Sequence, residues 1–87
     1  MGQSEEFICS TTKDEDSSIL IFSAESKNND IKFFSQRVVD GKTVLTTEFS
    51  SKKIDREYAR EVLMILCKEK VDPIHLASII KDIEADL

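Results

Sequence analysis

The chain has 87 residues, of which 40% are hydrophobic and 33% are charged, with two glycines and one proline. This hydrophobic share excludes an intrinsically disordered chain, and the length predicts a single domain over residues 1–87. Seventeen acidic against twelve basic residues give a net charge of −5. Direct binding to nucleic acid is therefore disfavoured, because phosphate contacts draw on a basic surface.

Membrane insertion, disulfide bonding and metal binding are not indicated by the sequence. No apolar run reaches the roughly 18 residues that a membrane span requires, and the N-terminal sequence MGQSEE is unlike a signal peptide. Cys9 and Cys67 are far apart and lack a CxxC motif, which favours two reduced thiols over a disulfide or a metal site. We therefore predict a cytoplasmic protein with no cofactor, no metal and no membrane partner.

Four segments before residue 51 have the alternating or β-branched patterns of strands. They are residues 5–12, 18–26, 31–39 and 43–49. Residues 14–16 are three consecutive acids, which we interpret as a solvated turn because no EF-hand spacing follows them. Residues 27–30 have the composition of a second turn. Asp40 and Gly41 form the clearest turn signal, since both tolerate the positive φ of a type I′ hairpin.

After residue 50 the apolar spacing changes to that of a helix. The first helical stripe is Ile54, Tyr58, Val62, Ile65 and Leu66, widened by Ala59 and Leu63. Ser50, Ser51 and Asp55 are all candidate caps for this helix. We expect it to span about residues 52–70.

The start of a second helix is marked more sharply. Asp72 is suited to the N-cap and Pro73 to the first helical position, where its missing N–H has no consequence. We expect this helix over about residues 73–86, with a buried stripe of Leu76, Ile80, Ile83 and Leu87. The predicted fold class is α+β: a four-stranded antiparallel meander sheet over residues 5–50, followed by two helices packed on one face (ββββαα).

The two tight turns predict a strand register that divides the side chains between two faces of the sheet. Val39 should pair with Lys42, and Glu25 with Lys32. One face then carries Ile8, Ile19, Ile21, Phe34, Val38, Leu45 and Phe49. The other carries Phe7, Cys9, Leu20, Phe22, Phe33, Val39 and Val44, together with Arg37 and Glu48.

Both faces are apolar, yet two helices can cover only one. We assign the first face to the core because its charges, Glu25 and Lys32, lie at one end. The second face is then exposed, and large exposed apolar surfaces mark partner sites. The residues of this face that we predict to bind a partner are Phe7, Leu20, Phe22, Phe33, Arg37 and Glu48. Two alternatives stay open: a loop or the sheet twist covers this face, or a one-residue slip exchanges the faces.

No motif indicates catalysis, so we predict no catalytic residues and a non-enzymatic protein. His75, the one histidine, has no ligand or catalytic partners nearby in the sequence. Four basic residues begin the first helical region, and interleaved acids favour a salt-bridged surface over a phosphate site. They are Lys52, Lys53, Arg56 and Arg60. A ribbon-helix-helix repressor is disfavoured because its reading strand would carry Glu48 and no base.

The hairpin resembles that of a family of small anti-CRISPR proteins that inhibit the type I-F surveillance complex. The similar residues are Ile31 and Lys32, the run 38–44 (VVDGKTV), Phe49 and Ser51. The resemblance implies a four-stranded sheet with helices on one face, and a phage-encoded inhibitor that blocks DNA access through its sheet surface. That family uses tyrosines and a glutamate for contact, whereas Tyr58 here lies on a helix. Phe22 and Gln36 lie where two such contacts would fall, so the resemblance adds Gln36 to the predicted partner-binding residues.

Two functions remain in consideration. The first is a small acidic protein-binding module, an inhibitor of a host nucleic-acid-processing complex that binds through its sheet face. The alternative is a self-associating structural or accessory subunit, a homodimer that pairs through the same face or through an edge strand.

Overall fold

The computed structural model describes residues 5–13, 18–27 and 30–87. The strands are β1 (Glu5–Lys13), β2 (Ser18–Lys27), β3 (Asp30–Val39) and β4 (Lys42–Ser51). They form one antiparallel sheet in the order β1-β2-β3-β4. Helix α1 (Arg56–Lys68) follows, and a 3₁₀ turn (Pro73–His75) leads into α2 (Leu76–Ala85). The predicted α+β class is confirmed. The predicted turn at 14–16 and the tip at 28–29 lie outside the described residues.

Local sequence signals define the turn and both helix starts. Asp40 and Gly41 have φ values of 52° and 77°, as expected for a type I′ hairpin. The Asp55 carboxylate accepts the Tyr58 N–H at 2.8 Å and caps α1, so this helix begins later than predicted. The Asp72 carboxylate accepts the Ile74 N–H at 3.2 Å in front of Pro73.

The register follows the prediction except along most of β4. Glu25 pairs with Lys32, and Val39 pairs with Lys42. Next to the turn, however, Val38 pairs with Thr43 while Arg37 pairs with Leu45. Val44 is therefore a β-bulge, an extra residue with no partner in the described part of β3.

The bulge changes the face of every later residue of β4. Leu45 now lies beside Arg37, and Phe49 beside Phe33. The prediction that Leu45 and Phe49 share a face with Phe34 was therefore wrong, as was the placement of Glu48 beside Phe33. A single extra residue has this effect because side chains alternate between faces with a period of two.

The hydrophobic core lies on the face that was predicted to be exposed. Helix α1 packs across β1 and β2, α2 packs on β4, and the 3₁₀ turn contacts β3 and β4. The buried cluster contains Leu20, Phe22, Ala24, Ile31, Phe33, Ile54, Ala59, Val62, Leu63, Leu66, Leu76 and Ile80.

The face assignment failed because it was based on where charges lie in the sheet. The charge of Arg37 favoured an exposed face, yet its guanidinium Nη1 lies 3.7 Å from the Asp72 carboxylate Oδ2 at the start of the 3₁₀ turn. This ion pair accommodates a charge beside the helices. Two helical predictions were also wrong: Ile65 lies at the margin of the α1 stripe and is exposed, and Leu87 is exposed beyond the end of α2.

Candidate functional site

The candidate functional site is the side of the sheet opposite the helices, called the open face below. Its residues are Glu6, Ile8, Ser10 and Thr12 of β1, Ile19, Ile21, Ser23 and Glu25 of β2, Lys32, Phe34, Gln36 and Val38 of β3, and Thr43, Thr46, Glu48 and Ser50 of β4. Every one of these residues is exposed or half-buried. Neither described helix therefore covers this surface.

Apolar side chains of the open face gather on the first three strands. Ile8, Ser23, Phe34 and Glu48 form one row across the sheet, and Ser10, Ile21, Gln36 and Thr46 form the next. Ile8 is 66% exposed. Because Ser23 is small, the larger side chains around it enclose a depression of about 360 Å³, which includes Ile8, Ile21, Phe34 and Gln36 in its lining.

Charged residues lie at one end of this apolar area. Glu6, Glu25 and Lys32 occupy successive strands of a single row, and Glu48 lies beside Phe34 on the edge strand β4. The Lys32 ammonium is 5.7 Å from the centroid of the Phe34 ring, a distance at which a cation is attracted to an aromatic face. Three acids against one base make this surface acidic.

The structure divides the seven predicted partner-binding residues into two groups. Leu20, Phe22 and Phe33 are 0% exposed beneath the helices. Phe7 is half-buried against the core, and its ring lies 5.3 Å from the Arg60 guanidinium of α1. We predicted that these four side chains and Arg37 lie on a free face of the sheet. This prediction was wrong, because the helices pack on that side.

Gln36 and Glu48 are the two predicted residues that lie on the open face, where they are half-buried and exposed respectively. Sequence reasoning missed Ile8, Ile21 and Phe34 as surface residues. Side-chain size gives no signal that separates the faces. Ala24 and Ser35 are completely buried on the helix side, yet the equally small Ser23 lies on the open face.

The basic cluster at the start of α1 does not form an evident anion site. Lys52, Lys53 and Arg56 are exposed around a depression that also includes Asp55. The Asp55 carboxylate already accepts an N–H at the helix start, so a negative charge of the chain itself occupies the position where a helix favours an anion.

The described residues contain no group of three or more histidine, cysteine or acidic side chains placed to hold a metal ion. His75 is exposed at the end of the 3₁₀ turn. Cys9 and Cys67 are half-buried free thiols that lie close to each other. Among the described helices, none has the length and apolar character to cross a membrane.

Comparisons with protein-family models, with curated proteins and with solved structures find no match to this chain. The fold and the open face are therefore the observations on which a functional argument depends.

Proposed function

We propose that the protein is a non-enzymatic protein-binding module whose partner binds the open face around Ile8, Ile21 and Phe34. The observation that carries this proposal is the apolar area on a sheet surface that the described helices leave uncovered. Where one face of an antiparallel sheet is in contact with water, the residues on that face are ordinarily polar. Here isoleucine and phenylalanine side chains are retained around a depression, as at the centre of protein interfaces.

Charge indicates the chemistry of the partner. Glu6 and Glu25 lie with Lys32 at one end of the apolar area, and Glu48 lies beside Phe34 on β4. The whole chain has a net charge of −5. A partner surface with apolar groups and neighbouring basic side chains complements this arrangement. Opposite charges at the rim of an interface mainly accelerate association and select the partner.

A more specific form of the proposal takes the partner to be a type I-F CRISPR surveillance complex, which the protein would inhibit. The support for this form is the resemblance of the β3–β4 hairpin, with its VVDGKTV run, together with a sheet that has helices on one side. A complex that binds DNA through basic surfaces fits an acidic inhibitor. Purified surveillance complex tests it directly: the protein should compete with target DNA, and unchanged DNA binding would contradict the inhibitor role.

The general proposal is tested by capture with variant baits. Immobilised wild-type protein, the Phe34→Asp variant and the Ile74→Asp variant are incubated with extract of the source cell, and retained proteins are quantified by mass spectrometry. Phe34 lies on the open face, whereas Ile74 is an exposed apolar residue of the 3₁₀ turn. We expect a partner that wild type and Ile74→Asp retain and that Phe34→Asp loses, by about tenfold or more.

Circular dichroism must show that the Phe34→Asp variant is folded, as expected for a side chain on the helix-free side. Equal retention of every protein by the three baits would mean that the open face is not the binding surface.

A further inference from the structure

The two edges of the sheet differ in how well they are protected against pairing with another strand. Edge β4 contains the bulge at Val44 and the exposed charges Lys42 and Glu48, features that discourage edge-to-edge pairing. Edge β1 is regularly paired with β2 along all nine of its residues. The charged residues of β1, which are Glu5, Glu6 and Lys13, lie at its two ends, and between Phe7 and Thr12 the strand has no charge, proline or glycine. None of the described strands pairs with the outer side of β1, so among these residues it presents an uninterrupted row of backbone hydrogen-bonding groups.

A groove follows this edge under helix α1. It has a volume of about 380 Å³, and its lining includes Phe7, Ile8 and Cys9 of the strand and Leu63 and Met64 of the helix. Met64 is 67% exposed, so an apolar side chain stands at the outer margin of this edge. The lining of the groove also contains the charged residues Glu6 and Arg60.

We propose that β1 pairs with β1 of a second copy of this chain, in antiparallel orientation about a two-fold axis at Cys9. Cys9 is the middle residue of β1, so this register pairs all nine residues of each strand. Phe7 then lies opposite Thr11 of the second copy, and Ile8 opposite Ser10. The two sheets join into one sheet of eight strands, with both open faces on the same side.

The position of α1 suits this arrangement. The helix packs across both β1 and β2, and neighbouring strands are about 4.8 Å apart. Its axis therefore lies about half a strand spacing inside the edge. Joining two edges brings the two α1 axes to about 10 Å apart, close to the separation of packed helices. A partner without a helix at this position would leave Met64 exposed.

The charges on α1 are complementary to those on α1 of a second copy. Glu61 and Lys68 lie on either side of Met64 and Ile65, and the four residues line one exposed patch. Two-fold symmetry makes the two helices antiparallel, so the acidic end of one patch lies beside the basic end of the other. A surface with an acid at one end, a base at the other and apolar groups between them is complementary to itself.

Sedimentation equilibrium of the wild type, Met64→Lys and Ile74→Lys tests the proposal. Met64 and Ile74 are matched sites, since they are 67% and 63% exposed and both lie in helical segments. We expect the wild type and Ile74→Lys to dimerise equally and the dissociation constant of Met64→Lys to rise about tenfold or more. A wild type that stays monomeric up to about 1 mM, or a Met64→Lys variant that dimerises as well as the wild type, overturns the proposal.

A cross-link tests the register separately from the affinity. In an antiparallel pair the two Cys9 Cα atoms would be about 4.5–5.5 Å apart, which is within the range of a disulfide. In a Cys67→Ala background, which removes the neighbouring thiol, diamide should oxidise two Cys9 thiols to a disulfide-linked dimer. The Cys9→Ala/Cys67→Ala control should give none. A dimer in sedimentation without a Cys9 cross-link rejects the register centred on Cys9.

Discussion

Ser51 connects the end of the sheet to both helical segments that follow it. Its hydroxyl donates a hydrogen bond to Glu84 Oε2 of α2 at 2.7 Å. The same oxygen accepts the backbone N–H groups of Lys53 and Ile54 at 3.2 Å each. The side chain is almost completely buried, so these groups have little access to water as a substitute. This one hydroxyl thereby stabilises the turn before α1 and links the end of β4 to α2.

We expect Ser51→Ala to lower the free energy of unfolding by about 1–3 kcal/mol, because it leaves a buried N–H and a carboxylate without their partner. Urea denaturation measures the loss. Ser50→Ala is the matched control, since Ser50 is exposed on the open face, and it should change stability by less than about 0.5 kcal/mol. Equal stabilities of the two variants would show that the Ser51 contacts are unimportant.

The Cys67 thiol should make the stability of the protein depend on pH. Burial is the main cause that raises the pKa of Cys67 from 9.0 to about 11. A hydrogen bond from the protonated Cys67 thiol to Cys9 and the proximity of the Cys9 charge act in the same direction. The folded protein therefore holds this proton more tightly than the unfolded chain does. The associated stability is complete below pH 9 and is lost as the pH rises through 11.

We expect the free energy of unfolding of the wild type to fall between pH 9 and pH 11, and to fall less in Cys67→Ala. Thermal or urea unfolding across that pH range provides the measurement. All other titratable groups are shared by both proteins, so the difference between the two curves isolates Cys67. Parallel curves would contradict the raised pKa.

At the scale of the element, the bulge in β4 determines which side chains reach the helices. Thr47, which pairs with Ser35, faces the core side, and its hydroxyl donates to the Pro73 carbonyl oxygen at 2.8 Å. Phe49 packs against the core, and the Lys81 ammonium of α2 lies 5.9 Å from its ring centroid. If Val44 were instead paired with Arg37 in a regular register, Thr47 and Phe49 would lie on the open face.

Deletion of Val44 should therefore be tolerated. Val44 is 58% exposed and unpaired within the described strands, and its removal leaves a regular hairpin in which Leu45, Thr47 and Phe49 keep their present face. We expect the far-ultraviolet circular dichroism spectrum to be unchanged and the free energy of unfolding to change by less than about 1 kcal/mol. A deletion variant that fails to fold would show that the bulge itself is needed.

Most elements could be predicted from local sequence. Asp40-Gly41 identifies the hairpin because few residue pairs tolerate two positive φ values, and Asp72-Pro73 marks a helix start because proline lacks an N–H. The bulge could not be predicted in this way. Either Val44 or Leu45 could pair with Arg37, and the second register turns Phe49 toward the core. The choice between these registers depends on contacts between segments that are distant in the chain.

At the scale of the whole molecule, the single helical layer distinguishes two phenylalanines that look alike in the sequence. Phe22 is completely buried between β2 and the helices, whereas Phe34 is half-buried on the open face. Removal of a buried phenylalanine leaves a cavity, while a half-exposed one already contacts water.

We expect Phe22→Ala to lower the free energy of unfolding by about 3–5 kcal/mol, a large part of the roughly 5–15 kcal/mol typical of a domain. Phe34→Ala should lower it by less than about 2 kcal/mol. Guanidinium denaturation of both variants provides the comparison. Similar losses would mean that both faces of the sheet are covered in solution.

The candidate site could be predicted in kind but not in position. The sequence indicates that two helices leave one apolar face of the sheet uncovered, and the structure shows such a face. Which face it is depends on contacts between segments that are distant in the chain, such as the Arg37–Asp72 ion pair in front of the 3₁₀ turn. A charge in a strand therefore does not by itself mark the exposed side.

The meander order of the strands also bears on how the chain reaches this structure. Each strand pairs with the next one along the chain, so the hairpins close over short loops, and such closures are rapid. The contact of Arg60 with Phe7 instead joins α1 to the first strand across most of the chain. We expect the hairpins to form early and the docking of α1 on β1 to come late. In the monomer, the N-terminal strand would then be the first part released when the protein begins to unfold. Amide hydrogen exchange at protein concentrations well below the dissociation constant of the dimer would detect this as faster opening of β1 than of β3.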